Sequence, residues 1–571
     1  MILTLACLAT VIALFYAEED WRGKRAWERC RRALEAKGVV LDWSAYIPPP
    51  VPDESNFFKA PGINEDDWVG RGSSALQKTI GKARDEEHRE TNAVLVAEVT
   101  VVPTGSEGAW RVSDVHGKER GRQLIEDVFG GTLPRTSGGS FCTKPSNQIE
   151  VAHISLESAR PESVEEVAAL FPKSIHPNYV GGENALVRVE ASESKAFRVL
   201  IAPAPQYAGD LLERTDSLEP IFENVREALK RPFARMDGDY SQPYAIPIPR
   251  FVTLVMVAQI LADRAKCHLL MHQPNEALND LMLVGDLGQI TEAKPTGHPM
   301  TLVAAMINVA MTGHYADTAA EGLRRRVWAE PELARLQEQF EKIDLMPALG
   351  TSLTIERTSS FTTLEKTRPD DLFEAFRSVM GGSSSFWNRL HDPLYCFREF
   401  APRGWVYQNL VVDFNLQPLA EIGDVREGVV SVEKANKASE EMTGDVFTMS
   451  SPYTFLVKWI VPNGSRAWQT LAVVQNKVNE GRIVCALERY RIVHGKYPEM
   501  LEALMPEFIA KLPHDIIGGG PLHYRRDGDG SFLLYSIGWN EKDDGGEAAM
   551  ANGAPDVGNG DWVWPNHAQG E

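Results

Sequence analysis

The first seventeen residues, MILTLACLATVIALFYA, carry no charged side chain, and the chain then turns abruptly to EEDWRGKRAWERCRR. A helix made from such a run is apolar all round, so protein or lipid must cover it. Seventeen residues sit at the lower edge of what crosses a hydrocarbon core roughly 30 Å thick, and exceed most signal-peptide apolar regions. No Lys or Arg precedes the run, and Ala17-Glu18-Glu19 makes a poor small-x-small cleavage site. The reading is an uncleaved single-pass anchor at 1–17. A cleaved signal and a buried helix are the alternatives. Cys7 follows Leu5-Ala6, but too few residues precede it for a lipoprotein signal. Orientation is less direct. Arg22, Lys24, Arg25, Arg29, Arg31 and Arg32 all follow the apolar run, and the positive-inside rule would keep that side cytoplasmic. A start codon placed too late would remove an upstream basic stretch and reverse that polarity.

Beyond the anchor the chain is long enough, at 571 residues, for three or four domains of about 150 residues. Hydrophobic residues make up 43% and charged residues 24%, an ordinary globular balance that argues against wholesale disorder and a polytopic membrane protein. The net charge of −20 argues against a nucleic-acid partner, because phosphate backbones are gripped by concentrated positive charge. Cys7, Cys30, Cys142, Cys267, Cys396 and Cys485 are scattered, without the close spacing that a zinc or redox motif needs.

Residues 20–38 read as a charged juxtamembrane helix, and the cluster Ile47-Pro48-Pro49-Pro50 stiffens the exit as extended chain, closing a linker at 18–54. From 55 to 205 the pattern is mixed. Val-rich stretches at 93–103 and 185–203 read as strands, 164–171 as a short helix and 132–147 as a loop. From 206 to 464 the chain reads as helical. Residues 254–271 and 276–289 suggest an antiparallel pair, followed by helices at 299–324, 331–345 and 347–367. The pair has a tetratricopeptide flavour, but no second copy follows at that period, so a non-repetitive bundle is favoured over a solenoid. Trp387, Trp405 and Tyr407 read as core or interface aromatics.

The last segment, 465–571, opens with a long helix from Ser465 whose Leu471, Val474, Val478, Ile483, Leu487, Tyr490 and Val493 trace one apolar face. Gly495 supplies a left-handed stop and Pro498 prevents resumption. A second short helix is predicted at 498–509. A hairpin follows at 522–538, turning at Asp527-Gly528-Asp529-Gly530. ALERYRIVHGKYPEMLEAL, KLPHDIIGGGPLHY, LLYSIGWNEKDDGG and the tail PDVGNGDWVWP appear here in that order. In these stretches the segment resembles the C-terminal half of type II secretion major pseudopilins. The resemblance implies a borrowed pseudopilin-like fold, because the apolar helix that begins a pseudopilin is here far upstream. It also implies an exported bulk, and a calcium ion held by Asn540, Asp543, Asp544, Asp556 and Asp561. Calcium takes six to eight oxygens, which such a loop can offer. The competing reading is a solvated Asp/Gly-rich tail.

Catalytic motifs are missing from the sequence: no H-E-x-x-H, G-x-S-x-G, P-loop or dinucleotide fingerprint. Glu86 to Glu90 read as a solvated face. His268 and His272 share a helix face without a nearby acidic ligand, and His314 reads as surface or as a hydrogen-bonded imidazole. Asp527 and Asp529 read as turn residues rather than an acid/base pair, and Asp370-Asp371 and Asp543-Asp544 are merely adjacent. The expected fold class is α+β, predominantly helical. It comprises an N-terminal membrane helix, a mixed α/β region, a helical bundle body and a pseudopilin-like module. The expected function is a membrane-anchored cell-envelope scaffold or interaction protein with a protein partner. An envelope hydrolase or ligand-binding protein with a site assembled within 55–460 is the alternative. A helical-repeat adaptor is a third reading.

Overall fold

Helical periodicity in the sequence becomes helix throughout the body of a predominantly helical chain with small sheets. The computed structural model describes residues 2–70, 73–84, 94–103, 110–118, 140–143, 174–175, 185–193, 196–203, 205–243, 246–291, 301–366, 401–415, 421–443, 451–454, 456, 464–528, 530–551 and 554–564. Among these the longer helices are α1 (Ile2–Ala36), α2 (Ala75–Arg84), α3 (Pro205–Thr215), α4 (Glu219–Leu229), α5 (Phe251–Leu270) and α6 (Pro274–Asp286). They continue as α7 (Leu302–Arg324), α8 (Glu330–Lys342), α9 (Met346–Lys366), α10 (Arg403–Asn415), α11 (Val432–Thr443) and α12 (Gly464–His494).

The expected pair forms as α5 and α6, and the chain reverses between them through His272, whose φ is 56°. An ionic knot fastens this pair to α3 and α4. Arg264, buried, donates through Nε to Asp280 (3.1 Å), through Nη1 to the Thr215 hydroxyl (2.9 Å) and through Nη2 to Glu219 (2.9 Å). Arg226 reaches the other Asp280 oxygen at 3.3 Å. Burial raises the Asp280 carboxyl above its usual range while Arg264 pulls it back. Removing either partner would strand a buried charge, which is far costlier than losing a surface pair.

α12 runs through the centre. It packs on α7 and α8, and a Cβ at Gly481 would lie 2.6 Å from the Phe340 ring, so only glycine admits this approach. Its buried surface exceeds the one apolar face expected. Gln475, Asn476, Asn479, Glu480 and Glu488 are enclosed as well, whereas Val493 is 60% exposed and Tyr490 only half-buried. Gln475 accepts from the Leu345 amide (2.9 Å), and Asn479 donates to the His514 carbonyl (3.2 Å). Glu480 Oε1 and Asn476 Oδ1 find no hydrogen-bond partner among the described residues. Burial holds the Glu480 carboxyl well above the usual carboxylate range.

One core joins Phe57, Phe222, Leu261 and Leu336 to Val484, Phe532 and Trp564, so the C-terminal segment shares its interior with the helical body. A second core gathers Trp43, Leu349 and Ile422 around the fully buried Trp468. The strands are β1 (Val94–Pro103), β2 (Trp110–Lys118), β3 (Ser140–Thr143), β4 (Ser174–Ile175), β5 (Ala185–Glu193) and β6 (Ala196–Pro203). They form an antiparallel sheet in the order β3-β2-β1-β6-β5-β4. β7 (Gly423–Asp424) and β8 (Val429–Val430) make a small ribbon. The C-terminal strands are β9 (His523–Arg526), β10 (Phe532–Ser536), β11 (Ala548–Ala551), β12 (Ala554–Gly560) and β13 (Trp562–Val563), with sheets β13-β10-β9 and β11-β12.

The expectations for several elements change. The anchor and the charged helix after it are one continuous helix, α1. No helix among the described residues is long and apolar enough to cross a membrane. The helix predicted at 498–509 shrinks to a single turn at Leu501–Leu504. Pro498 and Pro506 bracket too few residues to repay helix nucleation, although Leu501, Leu504, Phe508 and Ile509 still fill the core. Within 132–147, residues 140–143 form β3. The helix predicted at 164–171 lies outside the described residues.

Candidate functional site

The acidic loop follows β10. Asp561, buried where β12 meets β13, accepts from the Gly546 amide at 2.6 Å and the Asp544 amide at 3.3 Å, tying the loop to its return strand. Asp543 accepts from the Tyr535 hydroxyl and the Gly545 amide, both at 3.0 Å, with His523 Nδ1 3.4 Å away. Asp544 accepts from Asn540 Nδ2 (2.9 Å), while Asn540 Oδ1 accepts from the Lys542 amide (3.1 Å). Asp556 turns back on its own strand, taking the Gly558 amide (3.0 Å) and Asn559 (2.9 Å). The Gly545 amide holds the Asp543 carboxyl below its usual range, and Asn559 does the same for Asp556, while burial raises Asp561. Every one of the five thus already has a protein donor. Among the described residues no group of three or more His, Cys, Asp or Glu is set to hold a metal ion.

A different arrangement, unforeseen in the sequence, lies at the other end of the chain. The second half of α1 is docked. Trp27 and Leu34 enter a core with Phe361, Leu410, Phe414 and Leu456, and the Trp27 ring lies 5.0 Å from Phe361 and 5.6 Å from Phe414. α1 and α10 meet backbone to backbone, since a Cβ at Gly23 would fall 2.2 Å from the Gly404 carbonyl oxygen. Asp20 accepts the Gly404 amide at 2.8 Å, satisfying an N–H that the start of α10 would otherwise leave open. Glu19, buried, closes the joint. One of its oxygens accepts from Trp405 Nε1 (2.9 Å) and the Tyr453 hydroxyl (3.0 Å), the other from Arg22 (2.8 Å).

Directly beyond this joint α1 leaves the body. Leu3 is 80% exposed, and Leu5, Leu8, Val11, Ile12, Leu14 and Phe15 are all exposed. Aromatic rings mark the level of departure: Phe15 stands edge-on to Trp405, which stands edge-on to Tyr453. Trp21 is exposed beneath the Arg25 guanidinium, 5.2 Å from its ring centroid. The exposed apolar tip thus ends at a level marked by the rings of Trp405, Tyr453 and Trp21. The apolar run was visible in the sequence. The partnership of Glu19 with Trp405, 386 positions apart, carried no local signal.

The remaining sequence candidates are dispersed. His268 Nδ1 pairs with Gln273 at 2.7 Å, while His272 makes the turn. His314 Nε2 lies 3.5 Å from Gln259 Nε2. Asp527 pairs with Arg525 (3.1 Å) and opens the β9–β10 turn by bonding its amide to the Ser531 carbonyl (3.0 Å). Glu86 to Glu90, Asp370, Asp371, Trp387 and Asp529 lie outside the described residues. In comparison with protein-family models, curated proteins and solved structures, the chain matches none.

Proposed function

We propose that the chain is a membrane-attached cell-envelope protein with a scaffolding or protein-interaction role. The apolar tip of α1 holds it to lipid, the bulk lies outside the cytoplasm, and the C-terminal segment carries a pseudopilin-like fold. One observation carries the attachment: seven large apolar residues from Leu3 to Phe15 stand exposed beyond a stem that is firmly docked from Glu19 to Leu34. Covering them would be worth on the order of 10 kcal/mol before ordering costs. Residues 2–17 would reach about 24 Å into a core of about 30 Å, and bilayer thinning or snorkelling side chains would close the gap in a single-pass arrangement. The order of long helix α12, β9–β10 hairpin and acidic loop supports the pseudopilin-like reading, and calcium in that loop belongs to the same reading. The experiment is flotation of the full chain with phosphatidylcholine vesicles. The wild type should float and a Leu8→Glu/Val11→Glu variant should not. A wild type that stays at the bottom would end the attachment reading.

A further inference from the structure

The stem carries a second pattern. Residues 22–32 hold six cations and one acid, Glu28, in a chain whose net charge is −20. Arg22 is paired with Glu19 and Arg31 with Glu35. Lys24, Arg25, Arg29 and Arg32 are exposed. None of these four is paired with a carboxylate among the described residues. Arg25, Arg29 and Arg32 recur at i, i+4 and i+7, which stacks them along one helix face. Gly23, Trp27 and Leu34, which dock on the body, lie on the opposite face. The stripe is therefore turned away from the protein, and it begins beside exposed Trp21, just past the apolar tip.

We propose that this stripe recognises the anionic, phosphate-bearing headgroups of the membrane into which the tip inserts, an inference that rests on the attachment reading. Charge complementarity names the occupant. Guanidinium groups bind phosphate oxygens strongly, and Arg25, Arg29 and Arg32 have no carboxylate partner among the described residues to compete for them. The helix rise places Arg25 about 12 Å beyond Ala17, Arg29 about 18 Å and Arg32 about 22 Å. Screening falls off over about 8–10 Å, so the contribution declines along the stripe from Arg25 to Arg32.

The test is flotation of the full chain, titrated with vesicles of phosphatidylcholine alone and of phosphatidylcholine mixed with phosphatidylglycerol. Each cation close to the surface gives about a fivefold gain, so the anionic vesicles should bind roughly tenfold tighter or more. High salt should abolish that gain. Arg25→Gln should remove most of it and Arg32→Gln least. Equal affinity for the two vesicle types overturns the inference and leaves the attachment reading standing. So does a gain that survives in Arg25→Gln/Arg29→Gln/Arg32→Gln with its melting temperature unchanged. Failure to bind either vesicle overturns both.

Discussion

The two longest helices among the described residues treat their side chains in opposite ways. α1 leaves its most apolar stretch in the open, and its docked part buries Glu19, Gly23, Trp27 and Leu34. α12, with Asn, Gln and Glu distributed along it, is buried on nearly every side as far as Glu488. Hydrophobicity alone would have reversed the assignment. Position in the packing decides instead. α12 lies between α7, α8 and the C-terminal sheet, so even its polar positions face protein, and burial pushes the Glu480 carboxyl well above the usual carboxylate range. The tip of α1 has no such neighbours among the described residues.

Breaking the joint of α1 should have the largest effect. Gly23→Leu forces a side chain into the Gly404 backbone and should cost about 3 kcal/mol or more, read as a lowered melting temperature and new proteolysis near Lys37. An unchanged melt would mean that the stem is not docked. On the α12 side, Glu480→Gln should stabilise the protein by roughly 1–3 kcal/mol at neutral pH, because it removes a carboxyl that is costly to ionise. The sign follows from its raised folded-state pKa. The stability of the wild type is fully present below the unfolded carboxylate range and is lost as pH rises through the folded value. Denaturant melts across pH should show that loss in the wild type and a flatter profile in the variant. Equal pH profiles would mean that Glu480 is not enclosed.

Asp561→Ala should cost about 1–3 kcal/mol, since the Gly546 and Asp544 amides lose their acceptor. Repeating that melt with Ca²⁺ and with EDTA separates two roles. A cost that persists in EDTA marks Asp561 as a tie within the loop, and a Ca²⁺-dependent rise in wild-type melting marks the loop as a cation site. The smallest effect on stability belongs to the tip. Leu8→Glu should change the melting free energy by less than about 0.5 kcal/mol, because the exposed side chain supports nothing in the fold. A loss of several kcal/mol would show that the tip is covered by protein after all.

These contrasts mark where the sequence could be read and where it could not. Helices α5 to α9 and the start of α12 were legible because periodicity and caps are local: Thr301 caps α7 through the Ala304 amide, and prolines open α6 and α8. The strands β1, β5 and β6 announced themselves through runs of Val. Polar burial along α12 was not legible, since Gln475 and Asn479 are satisfied by Leu345 and His514, distant in the chain. At the acidic loop the residue types were visible but their use was not. Asp561 is enlisted by amides brought to it by a returning strand. The collar of α1 depends on Trp405 and Tyr453, whose meeting with Glu19 is wholly tertiary.

The joint between Glu19 and Trp405 also sets a clock. The two residues are 386 positions apart, so at roughly 5–20 residues per second a ribosome needs about 20–80 s to deliver the second after the first. Throughout that interval Gly23, Trp27 and Leu34 have no groove to enter. The stem emerges well before the segment that clasps it, and its apolar end is free to find a bilayer long before the joint can form.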